Sequence, residues 1–195
     1  MNAFKKKSLY AALAGVSALG AVNVAQAVNV NGDGTGQVLI YPYYTTRADA
    51  LGNTFQTLLS VVNTTGSVKA VKVRFLEGKN SQEVLDFNLF LSPFDVWTAA
   101  VTNTADGSGA QVATADTSCT LPTFGGAAIP FVNYLYALDG GGTSLDRTKE
   151  GYVEIIEMAT YTDLSVTGVA ATHVKGVPPC GTKLSDITAA AEAKA

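Results

Sequence analysis

The sequence contains few of the residues from which most catalytic and metal sites are built. It has two cysteines, one histidine and one tryptophan in 195 residues, and charged residues make up only 15% of it. A structural zinc site uses four Cys or His ligands, which two distant cysteines and His173 do not supply. Phosphate-binding loops, dinucleotide fingerprints, nucleophile elbows and heptad repeats are absent as well. We therefore predict a protein that is not an enzyme and holds no cofactor or metal.

The first 27 residues have the pattern of a secretory signal peptide. Residues 5–7 are lysines, residues 9–22 are apolar or small, and residues 25–27 read Ala-Gln-Ala, a small-residue cleavage signal. The apolar run is shorter than the about 20 residues of a transmembrane helix, and no later segment offers such a span. We predict an exported protein without a transmembrane span after cleavage, located in the periplasm, on the outer surface or outside the cell.

The charge balance of the chain after residue 27 restricts its partners. Cleavage would leave 195 − 27 = 168 residues, with 13 − 3 = 10 basic and 16 acidic side chains. An acidic, lysine-poor chain is a poor match for nucleic acid or for an anionic membrane. The length suits a single main domain. We predict protein partners or self-assembly, and no nucleic acid.

Cys119 and Cys180 are predicted to form a disulfide bond. An exported chain folds in an oxidising compartment, where an even number of cysteines usually pairs. The bond would close a loop of about 60 residues and remove unfolded-state entropy worth roughly 4 kcal/mol. It would tie the irregular C-terminal part of the domain to itself.

Strand-like segments separated by turn signals follow one another through the first half of the chain. They are residues 38–44, 58–63, 68–76, 84–91 and 95–101. Apolar and polar residues alternate, most clearly at residues 71–76, and no amphipathic helix intervenes. We predict an all-β, antiparallel, immunoglobulin-like β-sandwich over residues 37–184, with a small barrel as the alternative. Pro42 is expected to place the first strand at a sheet edge or to end its pairing there.

The remaining segments have less regular patterns. Residues 28–36 are expected to be a flexible N-terminal arm behind the cleavage site. Residues 102–117 are rich in Gly, Ala, Ser, Thr and Asp and predict a long exposed loop. Residues 129–138 and 151–158 are further strand candidates. Residues 185–195 are rich in alanine and predict a short C-terminal helix or a disordered tail.

Aromatic side chains form the first group of candidate functional residues. They are Tyr41, Tyr43, Tyr44 and Trp97. Together they could supply a platform for a carbohydrate or another small ligand. The competing interpretation of Trp97 is a core residue between two sheets, which is the commoner position of a lone tryptophan in a sandwich.

Carboxylates near a cationic side chain form the second group: Glu150, Glu154 and Glu157 with Arg147, and His173 further along the chain. The β-branched residues around them favour a strand, which would place Glu154 and Glu157 on opposite faces. Arg147 and Glu150 are then expected to form a solvated ion pair of little energetic weight. A hydrolase built from these carboxylates and His173 would require all of them in one cleft.

Four segments together resemble a family of exported proteobacterial proteins of unknown function. They are residues 58–65 (LLSVVNTT), 73–78 (VRFLEG), 91–97 (LSPFDVW) and 150–154 (EGYVE). The resemblance implies a Gram-negative envelope or surface protein and brings no catalytic motif. We predict a non-enzymatic structural, assembly or adhesive role, through an exposed edge strand or the N-terminal arm. The alternative is a periplasmic or secreted binding module for a carbohydrate or small ligand.

Overall fold

The computed structural model describes residues 31–162 and 165–180, and these residues form nine strands and one short α-helix. The elements are β1 (Val38–Thr45), β2 (Thr57–Val62), β3 (Val68–Glu77), β4 (Glu83–Leu91), β5 (Val96–Asn103), β6 (Ala110–Ala113), β7 (Cys119–Leu121), β8 (Ile129–Pro130), β9 (Glu150–Tyr161) and α1 (Val166–Ala171). The predicted signal peptide and the predicted tail at residues 185–195 lie outside the described residues, as do residues 28–30 of the predicted arm.

The strands form two antiparallel sheets. One has five strands in the order β1-β9-β3-β4-β7, and the other has four in the order β2-β5-β6-β8. The predicted all-β, antiparallel fold class is therefore confirmed, while immunoglobulin-like connectivity stays a prediction. The strand that contains Pro42 lies at the edge of the five-stranded sheet, as the proline indicated.

One apolar core lies between the inner faces of the two sheets. Alternate residues of β3 and β4 are buried in it from one side, and alternate residues of β2, β5 and β6 from the other. Phe87 is at its centre, with ring centroids 5.8 Å from Trp97 and 4.6 Å from Phe124. Burial of one such side chain contributes about 1.5 to 3 kcal/mol.

A second apolar cluster lies on the outer face of the five-stranded sheet. Its buried members are Val68, Ala70, Phe90, Cys119, Ala170 and Ala171. Neighbouring residues of a strand point to opposite faces. Ala70 therefore points to the outer face of the sheet, whereas Val71 points into the main core. The predicted Cys119–Cys180 disulfide is present and spans 61 residues of sequence. It fastens the C-terminal segment that contains α1 over this cluster.

The prediction of a long exposed loop at residues 102–117 is wrong. The chain turns back after β5 and returns as β6, in which Val112 is fully buried. Asp106 closes this hairpin, accepting hydrogen bonds from Thr104 Oγ1 at 2.6 Å and Ser108 Oγ at 2.9 Å. These hydrogen bonds lower the pKa of Asp106 to about 2, and the bond from Thr104 has the largest effect. Polar residues without periodicity therefore build a tight turn from their own side chains.

The later strand predictions are confirmed in part. In residues 129–138 only Ile129–Pro130 forms a strand, and Tyr136–Leu138 is a 3₁₀ helix. Residues 151–158 lie within the longer strand β9, as predicted. Among the described residues, no helix is long and apolar enough to cross a membrane. Helix α1 lies in a part of the sequence for which we predicted no helix.

Replacing both cysteines should loosen the C-terminal segment. We expect Cys119→Ala combined with Cys180→Ala to lower the free energy of unfolding by up to about 4 kcal/mol, because the chain between them is then unconstrained when unfolded. Urea titration followed by Trp97 fluorescence measures this change. Wild-type protein reduced with dithiothreitol is the control and should unfold at the same midpoint. An unchanged midpoint in both would contradict a structural role for the bond.

Candidate functional site: the open edge of strand β2

The predicted aromatic platform is not assembled in the structure. Trp97 and Tyr44 are core residues, at 1% and 0% exposure, so neither can contact a ligand. Tyr41 is half-buried against the same core, whereas Tyr43 is exposed. Neighbouring residues of a strand point to opposite faces, so Tyr43 and Tyr44 lie on different sides. The register shift between residues 41 and 44 places Tyr41 on the core side with Tyr44. The four rings therefore cannot act as one surface.

The three candidate glutamates are each paired with a cation of their own. Glu150 lies 2.9 Å from Arg47, Glu154 lies 3.0 Å from Arg74, and Glu157 lies 2.6 Å from Lys69. Glu154 is opposite Arg74 in the sheet and Glu157 is opposite the inward-facing Val71. The carboxylates are thus distributed over both faces of β9 and do not converge on one cleft. Partly exposed pairs of this kind contribute about 0 to 1 kcal/mol each.

Arg147 is a buried residue and does not form the solvated pair with Glu150 that the sequence predicted. Its Nη2 lies 2.9 Å from Glu77 Oε1 and 2.6 Å from Asp139 Oδ2, and its side chain is 8% exposed. The guanidinium also stacks on the ring of Tyr136, 3.8 Å from the centroid. Sequence patterns did not reveal this cluster, because its members come from a strand end and two turns.

One cation, Arg147, bridges the two carboxylates of this cluster. Glu77 also accepts three backbone N–H groups of the turn after β3, at 2.8 to 3.1 Å. Burial disfavours the charged form of Glu77, but these hydrogen bonds and Arg147 outweigh it and lower its pKa. The hydrogen bond from Arg147 holds the pKa of Asp139 well below its usual range. The cluster fastens two turns to the sheet and leaves no reactive group exposed.

His173 lies among hydroxyl groups. Its Nδ1 contacts Ser92 Oγ and is 3.5 Å from Asp95 Oδ2, and its Nε2 is 3.2 Å from Thr117 Oγ1. Each hydroxyl also lies within hydrogen-bond distance of a backbone carbonyl, at 2.9 Å for Ser92 and 3.1 Å for Thr117. In a catalytic triad the serine and the carboxylate contact opposite nitrogens of the histidine ring. Ser92 and Asp95 both lie beside Nδ1 of His173, so the arrangement differs from a triad, and its contacts attach the C-terminal segment to the rest of the domain.

A cleft of about 350 Å³ lies beside the same segment. It is lined by residues 114–120 and 123–126 and by Val177, Pro178 and Cys180. Asp116 is the charged residue among these lining residues, and its carboxylate already accepts hydrogen bonds from the backbone N–H and hydroxyl of Ser118. The cleft has room for a small molecule, and the threonine and serine hydroxyls that line it also make hydrogen bonds within the protein.

Strand β2 is the least protected edge in the described part of the two sheets. Edge β1 carries Pro42 and an irregular register, β7 has three residues and is followed by Pro122, and β8 has two residues and ends at Pro130. Prolines, irregular register and shortness all prevent further strand pairing. By contrast, β2 has six residues, TLLSVV, without proline, charge or register shift.

The pairing of β2 with β5 shows which backbone groups point away from the sheet. A residue in an antiparallel pair directs its N–H and C=O either both toward the neighbouring strand or both away from it. Thr98 of β5 lies opposite Ser60. The backbone N–H and C=O of Thr98 both make hydrogen bonds on the side of β5 that faces away from β2. Its N–H donates to Asp116 at 3.4 Å, and its carbonyl accepts from Thr114 Oγ1 at 2.6 Å. The N–H and C=O of Ser60 therefore face the open edge.

The same alternation applies along the whole of β2. The N–H of Asn63 donates to the carbonyl of Asp95 at 2.9 Å, as expected for a residue three positions from Ser60. Leu58, Ser60 and Val62 therefore direct their backbone groups outward. Among the described residues, Tyr41 makes a hydrogen bond to this row: its hydroxyl donates to the Ser60 carbonyl.

The strands of the outer face next to this edge carry no charged side chain, and large apolar side chains are exposed there. Leu58 is 79% exposed, and Val62 and Val96 are also exposed large apolar residues. Strands β2, β5 and β6 contain no charged side chain, although the whole chain carries a net charge of −3. A shallow depression of about 500 Å³ lies between Leu58 and Ala113 on this face. The edge and the face form one neutral surface.

Comparison of the chain with family profiles, curated proteins and solved structures gave no match. The candidate site therefore rests on geometry. Sequence reasoning identified residues 58–63 as a strand but expected the exposed edge at Pro42. The signal for the actual site is a six-residue strand without proline or charge. That signal becomes specific only when the order of the strands is known.

The Arg147 cluster should be the most sensitive polar site for stability. We expect Arg147→Met to lower the free energy of unfolding by roughly 3 to 5 kcal/mol, because Glu77 would remain buried without its cation. Arg74→Met is the matched control on the exposed face, where about 0 to 1 kcal/mol should be lost. Chemical denaturation of both variants measures the difference. Equal losses would show that burial does not set the strength of these pairs.

The pH dependence of stability should report the same cluster. The folded pKa values of Glu77 and Asp139 are lowered, so their contribution is present above the unfolded values near about 4 and is lost as pH falls below them. We expect the wild-type unfolding free energy to fall between about pH 5 and pH 2. Arg147→Met should show a smaller slope over that range. An identical slope would place the acid sensitivity elsewhere.

Proposed function

We propose that the protein is a non-enzymatic, exported protein of the Gram-negative envelope or cell surface. Its role is structural or adhesive, and it works by protein–protein assembly at the open edge of β2. The observation that carries this proposal is the row of outward-facing backbone groups at Leu58, Ser60 and Val62 beside an uncharged face. An added strand would bond to this row, and backbone hydrogen bonds supply the affinity in such additions.

Export is supported by two independent features. Residues 1–27 have the composition of a cleaved leader, and the Cys119–Cys180 bond is typical of proteins that fold in an oxidising compartment. Protease added to intact cells of the native host, with a periplasmic protein as control, separates the two locations. Digestion would place the protein at the surface, as the adhesive role requires, and protection would place it in the periplasm.

A binding module for a carbohydrate or another small ligand is the second candidate. It is supported by the cleft between residues 114–126 and Val177, and no longer by the aromatic residues. Filling this cleft with Val177→Trp should abolish ligand-induced thermal stabilisation if the cleft is the site. The β2 variants described next leave the cleft unchanged, so the two candidates are tested separately.

Ser60→Pro should dissociate the native assemblies without unfolding the domain. The N–H that proline removes faces the open edge, so no bond to β5 is lost, and edge strands tolerate proline in this orientation. Gel filtration of native-host extracts, with detection of the tagged protein, gives the size of its complexes. Ser60→Thr is the matched control, since it keeps the N–H and favours a strand. Complexes of unchanged size in the proline variant would contradict the proposal.

The N-terminal arm is tested in the same experiment. Deletion of residues 28–35 leaves Gln37 in place, whose carbonyl accepts a hydrogen bond from the Glu157 N–H at 2.7 Å. We expect this deletion to leave the complexes intact. Their loss in the deletion variant alone would assign the contact to the arm and not to β2.

A further inference from the structure

We propose that the partner at the β2 edge is a second copy of this chain, paired antiparallel about a two-fold axis through Ser60. This inference rests on the proposed function and specifies its partner. Two four-stranded sheets would join along β2 into one continuous sheet.

The backbone directions select the register. Leu58, Ser60 and Val62 face outward, so a partner β2 can bond only if its own outward-facing residues lie opposite them. The register that pairs Ser60 with Ser60 also pairs Leu58 with Val62 on both sides of the axis. It forms about six hydrogen bonds, two at each of three pairs. A shift by two residues loses one of the three pairs.

The side chains match in this register. Leu58 of one copy lies beside Val62 of the other on the exposed outer face, and Leu59 lies beside Val61 on the inner face. Two serine side chains meet at the axis, where their small size leaves the strands free to approach. Cross-strand pairs of apolar residues contribute roughly 0.2 to 1 kcal/mol each. The strand is therefore complementary to itself along its whole length.

The charge distribution also favours a second copy. After residue 27 the chain has 13 − 3 = 10 basic and 16 acidic side chains, so two copies repel each other over most of their surfaces. Strands β2 and β5 carry no charge, so this face brings no like charges together. A basic partner would find no acidic row on β2 to recognise. A second β2 strand matches this edge in the direction of its backbone groups, in its side chains and in its lack of charge.

Tyr41 limits the strength of this pairing. Its hydroxyl donates to the Ser60 carbonyl, which is the central acceptor of the proposed interface. A second copy must share or displace that bond. Tyr41→Phe removes the hydroxyl and should strengthen dimerisation of the purified protein by about threefold to tenfold, since one hydrogen bond contributes about 0.5 to 1.5 kcal/mol.

Opposite charges at residue 60 test the two-fold axis directly. In the proposed register residue 60 faces its own counterpart, so Ser60→Lys and Ser60→Glu should each weaken dimerisation by about tenfold or more. An equimolar mixture of the two should dimerise at least as strongly as wild type. Sedimentation equilibrium of the purified chain, expressed with its residues 1–27 and exported in a Gram-negative host, measures these samples beside wild type. Thr98→Lys and Thr98→Glu are the matched controls on the neighbouring strand, and their mixture should show no comparable recovery.

The outcomes separate this inference from the function on which it rests. Recovery in the Ser60 mixture and not in the Thr98 mixture supports the symmetric pair. If the mixture stays as weak as its components, or if wild type and Tyr41→Phe are both monomeric at high concentration, the second-copy proposal is overturned. The proposed assembly role survives that result if Ser60→Pro still shrinks the native complexes. If Ser60→Pro leaves those complexes unchanged, both proposals fail.

Discussion

Contact between the inner faces of the two sheets constrains everything else in this molecule. Phe87 and Trp97 meet across that layer, and their burial determines which residues of each strand point inward. Side chains and backbone groups both alternate with a period of two along a strand. Burial of Leu59 and Val61 therefore leaves Leu58, Ser60 and Val62 with exposed side chains and outward-facing backbone groups. The candidate interface is a consequence of how the core is filled.

Polar contacts attach the connections between strands, and the C-terminal segment, to the two sheets. The guanidinium of Arg147 joins the turn after β3 to the loop around Asp139, and it is sandwiched between two carboxylates and an aromatic ring. At the other end, the disulfide and the contacts of His173 fasten the C-terminal segment over the outer apolar cluster. In both places polar side-chain contacts fix long, irregular connections to the sheets. These sites explain the most polar buried residues without invoking catalysis.

The edge strands of the two sheets differ in how well they are protected from pairing with another strand. Prolines and short strands end three of the described edges, whereas β2 remains regular and neutral. Tyr41 shields the middle of β2 with one hydrogen bond, which a competing strand can replace. Such an edge combines limited protection from aggregation with the capacity for specific pairing. The proposed pairing of two copies would use this combination.

The amino-acid sequence by itself determined the strand content of the first half of the chain, the alternating faces of residues 71–76, the edge position of Pro42 and the disulfide. Each follows from a local pattern or from the pairing of the two available cysteines. The sequence did not reveal the hairpin at residues 102–117, because Asp106 closes it with bonds that leave no periodic trace. Only the tertiary structure decided that Trp97 is buried, that Arg147 contacts Glu77, and that β2 is an edge. These facts depend on which strands become neighbours, and long-range pairing is set by the packing of the whole core and not by any segment of it.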